Sequence, residues 1–393
     1  MMRGMTRHLL AALALLSPLP ALAAPPPASV VVVFDETRIR PVIVEGLANR
    51  ESGRPVAADD PVRIASISKL VMALAAMRLV GEGKLDLDRD VSDYLGWRLR
   101  SPHHPDAPVT LAHLLSHRAG LSDKAGYIVP LGESLSAKLA DPAAWRETGA
   151  PGAAAFEYAN LGSPLVATAL EAASGERYDD LLERLVFAPL GITACVNWTR
   201  CDEAVKARAV TLYRHTGEVA RDDPADLACP IPVAEGQACS LADYVPGTNA
   251  SVFSPQGGVR IGMVDLAKIG QALLRGHESG LLDAAGFARL TASASAGATG
   301  AAEMFCHYGL GLQLIEMPGA ACDDTLFGTR GPWIGHAGEA YGLLSGLWVD
   351  RETGQGLVYF TTEAPPPPGG EDTGTFTPRE RALIARARAL VQP

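Results

Sequence analysis

Apolar runs with strand and helix spacing mark out the chain before any single residue is considered. Val30 to Phe34 and Pro41 to Leu47 read as strands, and a long apolar helix pattern runs from about Ser66 to Gly81. The far end mirrors this. Trp333 to Gly338, Leu343 to Asp350 and Gly356 to Thr362 predict strands separated by turn residues. Thr377-Pro378-Arg379-Glu380 is a capping box with proline at the first helical position, which announces a C-terminal helix to about Val391. Helical spacing recurs in between, at Leu111 to Ser116, Ser163 to Ala173, Asp179 to Leu185 and Val264 to Leu274. Strand-forming ends around a helical middle predict an α+β protein, with a sheet assembled from both termini, covered by helices. The expected division is a sheet domain of 24–95 and 255–393 with a mainly helical domain, 96–254, inserted. Stretches 291–302 and 364–375 read as small-residue and Pro/Gly-rich connections, and no repeat of 20 to 50 residues is visible.

Composition narrows the class. The 393 residues are 48% hydrophobic and 20% charged, as in a well-packed globular protein, and the net charge is -10. An acidic balance of that size lacks the phosphate-neutralising surface that nucleic-acid binding requires. Only 6 of the 34 basic residues are lysine, so a lysine in a suggestive place is informative.

The first residues carry Arg3 and Arg7, then an apolar run from Leu9 broken by Pro18 and Pro20, then Ala21-Leu22-Ala23. This is the layout of a secretory signal peptide, 1–23, with cleavage expected after Ala23. The prolines interrupt the run too early for the ~20 residues of a membrane span, so a periplasmic or secreted protein without a membrane span is expected. The Ala/Arg-rich, Lys-poor composition suggests a bacterium. Export permits disulfides, and Cys195, Cys201, Cys229, Cys239, Cys306 and Cys322 form an even set. Fifteen pairings are open to six cysteines. Pairing of neighbours (195 with 201, 229 with 239, 306 with 322) is the simplest, since each bridge closes a short loop. None has the spacing of a CxxC zinc or redox motif.

Ser66-Ile67-Ser68-Lys69 places a serine and a lysine on one face at the start of the long helix. A serine hydroxyl becomes a nucleophile when a neighbouring base accepts its proton, and a lysine serves once burial lowers its pKa. Unpaired N–H groups at the helix start can help hold the resulting oxyanion. With 20 serines and 6 lysines the spacing arises by chance about 0.3 times, so a helix-start serine beside a solvated lysine remains an equal reading. Tyr158-Ala159-Asn160 adds a phenol which, beside an ammonium, would lose its proton more easily and relay it. Its alternative is a tyrosine packed at a turn. The joint occurrence carries the weight.

RIASISKLVMALAAMRLVGEGKLDLDRDVSDYL, TLAHLLSHRAGL, YANLGSPLVATALEAASGERYDDLLERLVFAPLGI, QGGVRIGMVDLAKIGQALL and GHAGEAYGLLSGLWVD follow one another from residue 63 onward. Together they resemble the serine hydrolases of the class C β-lactamase superfamily, with its D-alanyl-D-alanine carboxypeptidases, D-aminopeptidases and family VIII esterases. The resemblance implies a β-lactamase/penicillin-binding-protein-like fold with an antiparallel sheet, and no cofactor or metal. By it Ser66 is the acylated nucleophile, Lys69 its base, Tyr158 the proton relay and Asn160 a partner of Lys69 and substrate. The third family element, on a strand lining the site, is His336-Ala337-Gly338, with His215-Thr216-Gly217 as a competitor in a polar, turn-like stretch. The N–H of Glu339 would then join that of Ser66 as the oxyanion hole.

His336 and Glu339 stand where β-lactamases of this class carry lysine and a small hydroxyl residue, which weakens the positive site for a substrate carboxylate; Arg330 is a possible substitute charge. The expected activity is therefore hydrolysis of a small ester, amide or peptide, in the manner of an esterase or D-amino-acid peptidase, with cell-wall-derived molecules among the candidate substrates. β-Lactamase turnover is expected to be weak or absent. The alternatives are a genuine β-lactamase or DD-carboxypeptidase, and a silent binder of penicillin or cell-wall peptides. His113 and His117 have zinc-pair spacing but no HExxH glutamate and read as structural, and His103-His104 as solvent-facing. Asn197-Trp198-Thr199 and Asn249-Ala250-Ser251 are glycosylation sequons only in a glycosylating host.

Overall fold

The computed structural model describes residues 26–220, 229–294, 306–319, 323–328, 331–365 and 375–391. Its main sheet has seven antiparallel strands: β1 (Ser29–Asp35), β2 (Ile39–Glu45), β3 (His307–Tyr308), β4 (Gln313–Ile315), β5 (Trp333–Ala340), β6 (Leu343–Asp350) and β7 (Gln355–Thr361), in the order β2-β1-β7-β6-β5-β4-β3. The seam between the chain's two ends is the β1–β7 pair, in register from Ser29 opposite Thr361 to Asp35 opposite Gln355. β1 carries four successive valines, Val30 to Val33, because it is covered on both faces. Val30, Val32 and Phe34 enter the main core, while Val31 enters a second apolar cluster on the other face.

Helices supply those covers. Helix α3 (Met263–Arg275) lies over β1 and β7 and sends Leu266, Ile269 and Leu273 into the main core. Helix α4 (Pro378–Ala389) covers the opposite face with Leu383, Ile384 and Ala387, and it starts with the expected reciprocal capping box of Thr377 and Glu380. Helix α1 (Ile67–Gly81) packs on β5 and buries residues around its whole circumference, including Leu70, Val71, Leu74 and Leu79. Each such side chain contributes about 1.5–3 kcal/mol of transfer free energy, which fixes α1, and hence its first turn, against the sheet.

The stretch between the sheet halves carries helices at Leu111–Leu115, Leu135–Ala140, α2 (Gly162–Ser174) and Tyr178–Leu182, the last running into a wider turn at Glu183–Phe187. Short strands unforeseen from the sequence also occur: a three-stranded sheet joins Val62–Arg63, Val259–Ile261 and Ala194–Val196. At two or three residues they are too short to show a period. Disulfides join Cys195 to Cys201 and Cys229 to Cys239, as the loop lengths suggested. Cys306 is disulfide-bonded too, and Cys322 lies outside the described residues. So do the expected signal segment, most of 291–302 and 364–375, and Arg330. No helix among the described residues is long and apolar enough to cross a membrane.

Candidate active site

Ser66 is presented by an abrupt strand-to-helix turn. The strand Val62–Arg63 ends, Ala65 takes a left-handed φ of 46°, and Ser66 becomes the cap residue of α1. A capping serine ordinarily accepts a hydrogen bond from the helix's first N–H groups; Ser66 does not. Its hydroxyl instead accepts from Lys69 Nζ at 3.2 Å and hydrogen-bonds Tyr158. Lys69 is only 2% exposed, so the picture of a solvated lysine beside a capping serine does not describe this turn.

Burial governs the lysine. Its Nζ donates also to Asn160 Oδ1 at 2.8 Å and the Gln256 carbonyl at 3.1 Å, and stands 4.6 Å from the centre of the Tyr158 ring. Desolvation pulls its pKa down to about 7, against the opposing pull of the Asp123 carboxylate. Near neutral pH a large share of Lys69 is therefore free amine, whose lone pair can take a proton from Ser66 Oγ. Tyr158 departs from expectation. Burial pushes its phenol well up, outweighing the hydrogen bond from Ser66, so it stays protonated rather than being acidified by a neighbouring ammonium.

Asp123 carries no motif, and the sequence did not single it out. One of its oxygens accepts the N–H and the side-chain amide of Asn160, both at 2.9 Å, and the other accepts Leu161 N at 2.9 Å. With its amide nitrogen so held, Asn160 must aim Oδ1 at Lys69. His117, in a left-handed turn at φ 55°, supports Tyr158 from behind: the ring centres lie 4.4 Å apart, and His117 Nδ1 accepts Ala159 N at 3.2 Å. That support is its structural role. His113 belongs to the reciprocal cap of Thr110 at the start of the Leu111–Leu115 helix, and no cluster of three metal-ligating side chains exists among the described residues.

β5 runs alongside this turn. A Cβ on Gly338 would lie 2.4 Å from the Ile64 carbonyl oxygen and 2.5 Å from Ser345 Oγ, so only glycine lets the strand pass there. Gly338 and Glu339 line the cavity that Ser66, Tyr158 and Asn160 also line, of about 640 Å³; the Glu339 side chain is exposed. His336 lies differently from the substrate contact expected of it. It is fully buried and absent from the cavity lining. Its Nδ1 lies 2.5 Å from the Ala337 carbonyl, which can only accept, so Nε2 accepts the Tyr308 hydroxyl at 2.9 Å. Desolvation, helped by Lys69, lowers its pKa to about 3, leaving a neutral imidazole. The competing His215 sits exposed in a turn outside the cavity. Both sequon asparagines are buried with their side-chain nitrogens engaged, Asn197 on Ser254 Oγ and Asn249 on the Val129 carbonyl, which leaves neither open to a glycan in the folded protein.

Residues 24–377 match the Beta-lactamase family model. Penicillin-binding protein 4 of Amycolatopsis lactamdurans is 26% identical over 356 residues, spanning 89% of this chain and 83% of that one. Esterase EstB of Burkholderia gladioli is 32% identical over 170 residues, 38% of this chain and 42% of its own. Among solved structures, the beta-lactamase/D-alanine carboxypeptidase of Pseudomonas syringae superposes with a TM-score of 0.66 at 17% identity, covering 93% of this chain and 94% of that one. The sheet closed by both chain ends, with the Ser66 turn set against it, is thus the β-lactamase/penicillin-binding-protein fold, and the chain belongs to the beta-lactamase family of serine hydrolases.

Proposed function

We propose that this protein is an exported serine hydrolase that cleaves small esters or amides through an acyl-enzyme on Ser66. The observation that carries this reading is Lys69: Nζ is 3.2 Å from Ser66 Oγ and its pKa is lowered to about 7. In the first step Lys69 takes the Ser66 proton as Oγ attacks the substrate carbonyl. The oxyanion is held by the backbone N–H groups of Ser66, at the start of α1, and Glu339. Tyr158, still carrying its proton, gives it to the departing alcohol or amine and recovers one from Lys69. Water then attacks the ester carbonyl along the reverse route and frees Ser66.

The substrate preference follows from charge. With His336 buried and neutral and Glu339 exposed on the cavity wall, this strand offers no cation to a substrate carboxylate, and the two arginines of the lining are engaged, Arg63 on the Gly257 carbonyl and the Tyr341 ring and Arg260 on the Gly258 carbonyl. Neutral esters and amides, or substrates bearing an amine near the scissile bond, fit better than β-lactams. A D-amino acid amidase from Ochrobactrum anthropi SV3, complexed with D-phenylalanine, shares the fold at a TM-score of 0.64 and 19% identity, which makes an amine-bearing amide a sensible first substrate. The paired disulfides fit an oxidising compartment, in keeping with removal of 1–23 during export.

Wild type and Ser66→Ala should be compared on p-nitrophenyl acetate and butyrate, D-alanyl p-nitroanilide and nitrocefin, with a fluorescent penicillin as covalent label. Turnover of the esters or the anilide, lost in Ser66→Ala and exceeding that of nitrocefin, is expected. Efficient nitrocefin hydrolysis would mark a β-lactamase instead, and neither turnover nor label in wild type would mark a silent binder.

A further inference from the structure

The cavity's walls differ in chemistry. Its polar lining includes Arg63, Glu339, Thr377 and Glu380, whereas Tyr127 and Ile128 with Pro230, Ile231 and Pro232 make an apolar wall. Ile128 lines the cavity and keeps 44% of its surface exposed, leaving apolar area that a bound apolar group would remove from water.

The apolar wall is built rather than incidental. Ser251 Oγ accepts Val129 N at 2.9 Å, and the buried Asn249 side chain donates to the Val129 and Pro130 carbonyls, each at 3.1 Å. Onto that anchored segment the second one is zipped: Leu131 N donates to the Pro232 carbonyl and Ala234 N to the Leu131 carbonyl, both at 2.9 Å. The Cys229–Cys239 disulfide, ten residues in span, closes the loop that carries Pro230, Ile231 and Pro232, and Cys229 Sγ lies 3.1 Å from the Ile231 carbonyl. Residues 235–240 of that loop are exposed, so little apart from the bridge and the two backbone bonds holds its far limb.

We propose that this wall is a subsite for a bulky apolar acyl group, and that the Cys229–Cys239 disulfide keeps it in place. The proposal rests on the serine-hydrolase reading above and names the substrate class: hydrophobic acyl esters or amides whose side group lies on Ile128 and the half-buried rings of Pro230 and Pro232 while the carbonyl sits at Ser66. The bridge acts through the loop it closes and is not itself part of the chemistry.

The test is a p-nitrophenyl ester series from acetate to hexanoate on wild type, Ile128→Ser and the double variant Cys229→Ser/Cys239→Ser. In wild type, kcat/KM rises about fourfold per added methylene while the wall is being covered. Both variants lower the hexanoate-to-acetate ratio by about tenfold, mainly through KM. Ile128 is exposed, so its replacement tests the wall even if loss of the bridge impairs folding. A flat series in wild type, or a ratio unchanged in both variants, overturns the subsite. A fluorophosphonate label on Ser66 distinguishes the two ways of failing. Labelling with a flat series overturns the subsite alone, whereas no label and no turnover overturns the serine-hydrolase reading with it.

Discussion

Lys69 lies beneath the cavity, hydrogen-bonded to Ser66, and Ile128 lies on its wall; the two are treated in opposite ways. Lys69 keeps 2% of its surface and donates to three acceptors; Ile128 keeps 44% and offers an apolar face to the open space. The floor of the site has its polar groups fixed and its charge suppressed by burial, so its pKa values, and with them the chemistry, are properties of the folded protein alone. The rim leaves side chains uncommitted, and what it selects is decided only when a substrate covers them. Reactivity and selectivity are thus physically separable here, and variants in the two regions should fail in different ways.

Among variants that keep Ser66, the largest expected effect lies beneath the floor, at Asp123. Asp123→Asn turns an acceptor-only carboxylate into a group whose NH2 must face an N–H donor, either that of Leu161 or those of Asn160, which loosens the turn that aims Asn160 at Lys69. We expect kcat/KM at its plateau to fall roughly 10- to 100-fold. The wild-type acid limb should lie near pH 7, where Lys69 gains its proton. Because the Asp123 carboxylate favours the ammonium, removing it lowers the Lys69 pKa further and moves that limb to lower pH. A pH profile with the limb unmoved would refute the coupling. At the junction of floor and rim, Gly338→Ala forces β5 off the Ile64 carbonyl. A loss of about 1–3 kcal/mol is expected, seen as a lower Tm, together with a kcat reduced more than KM is raised; an unchanged Tm and kcat would show that the strand gives way freely. The smallest effect belongs to the rim. Removing the exposed charge in Glu339→Gln should reduce kcat/KM for cationic D-alanyl p-nitroanilide by about fivefold or less, raise that for anionic substrates similarly, and leave neutral esters alone. Equal changes for all three would mean that the charge plays no part in selection.

What the sequence revealed follows the same division. Ser66, Lys69, Tyr158 and Asn160 were legible because each belongs to a spaced pair, and the long apolar stretch fixed where the first pair would sit. The main strands and helices were legible because they are long enough to show a period, whereas β3, β4 and the strand at Ala194–Val196 are not. Asp123 was invisible: its importance comes from three N–H groups 37 and 38 residues away, which no local spacing encodes. His336 was placed on the right strand but in the wrong company. The Tyr308 hydroxyl and the Ala337 carbonyl engage both its nitrogens and keep it behind Tyr158, and Tyr308 lies in a two-residue strand that the sequence did not disclose. Likewise, neighbouring charge suggested an acidified Tyr158, because a sequence shows which groups are near but not how completely water is removed from them.

The pairing of β1 with β7, and the presence of Thr377 and Glu380 on the cavity wall, bear on the protein's synthesis. A growing chain that has reached residue 330 already contains Ser66, Lys69, Tyr158 and Asp123. It still lacks β5, β6 and β7 and the helix that seals the second apolar face, so β1 has no partner on one side and the Ser66 turn has no strand beside it. The cavity can therefore assemble only after nearly all of these residues have left the ribosome, so the two chain ends must meet before its walls exist.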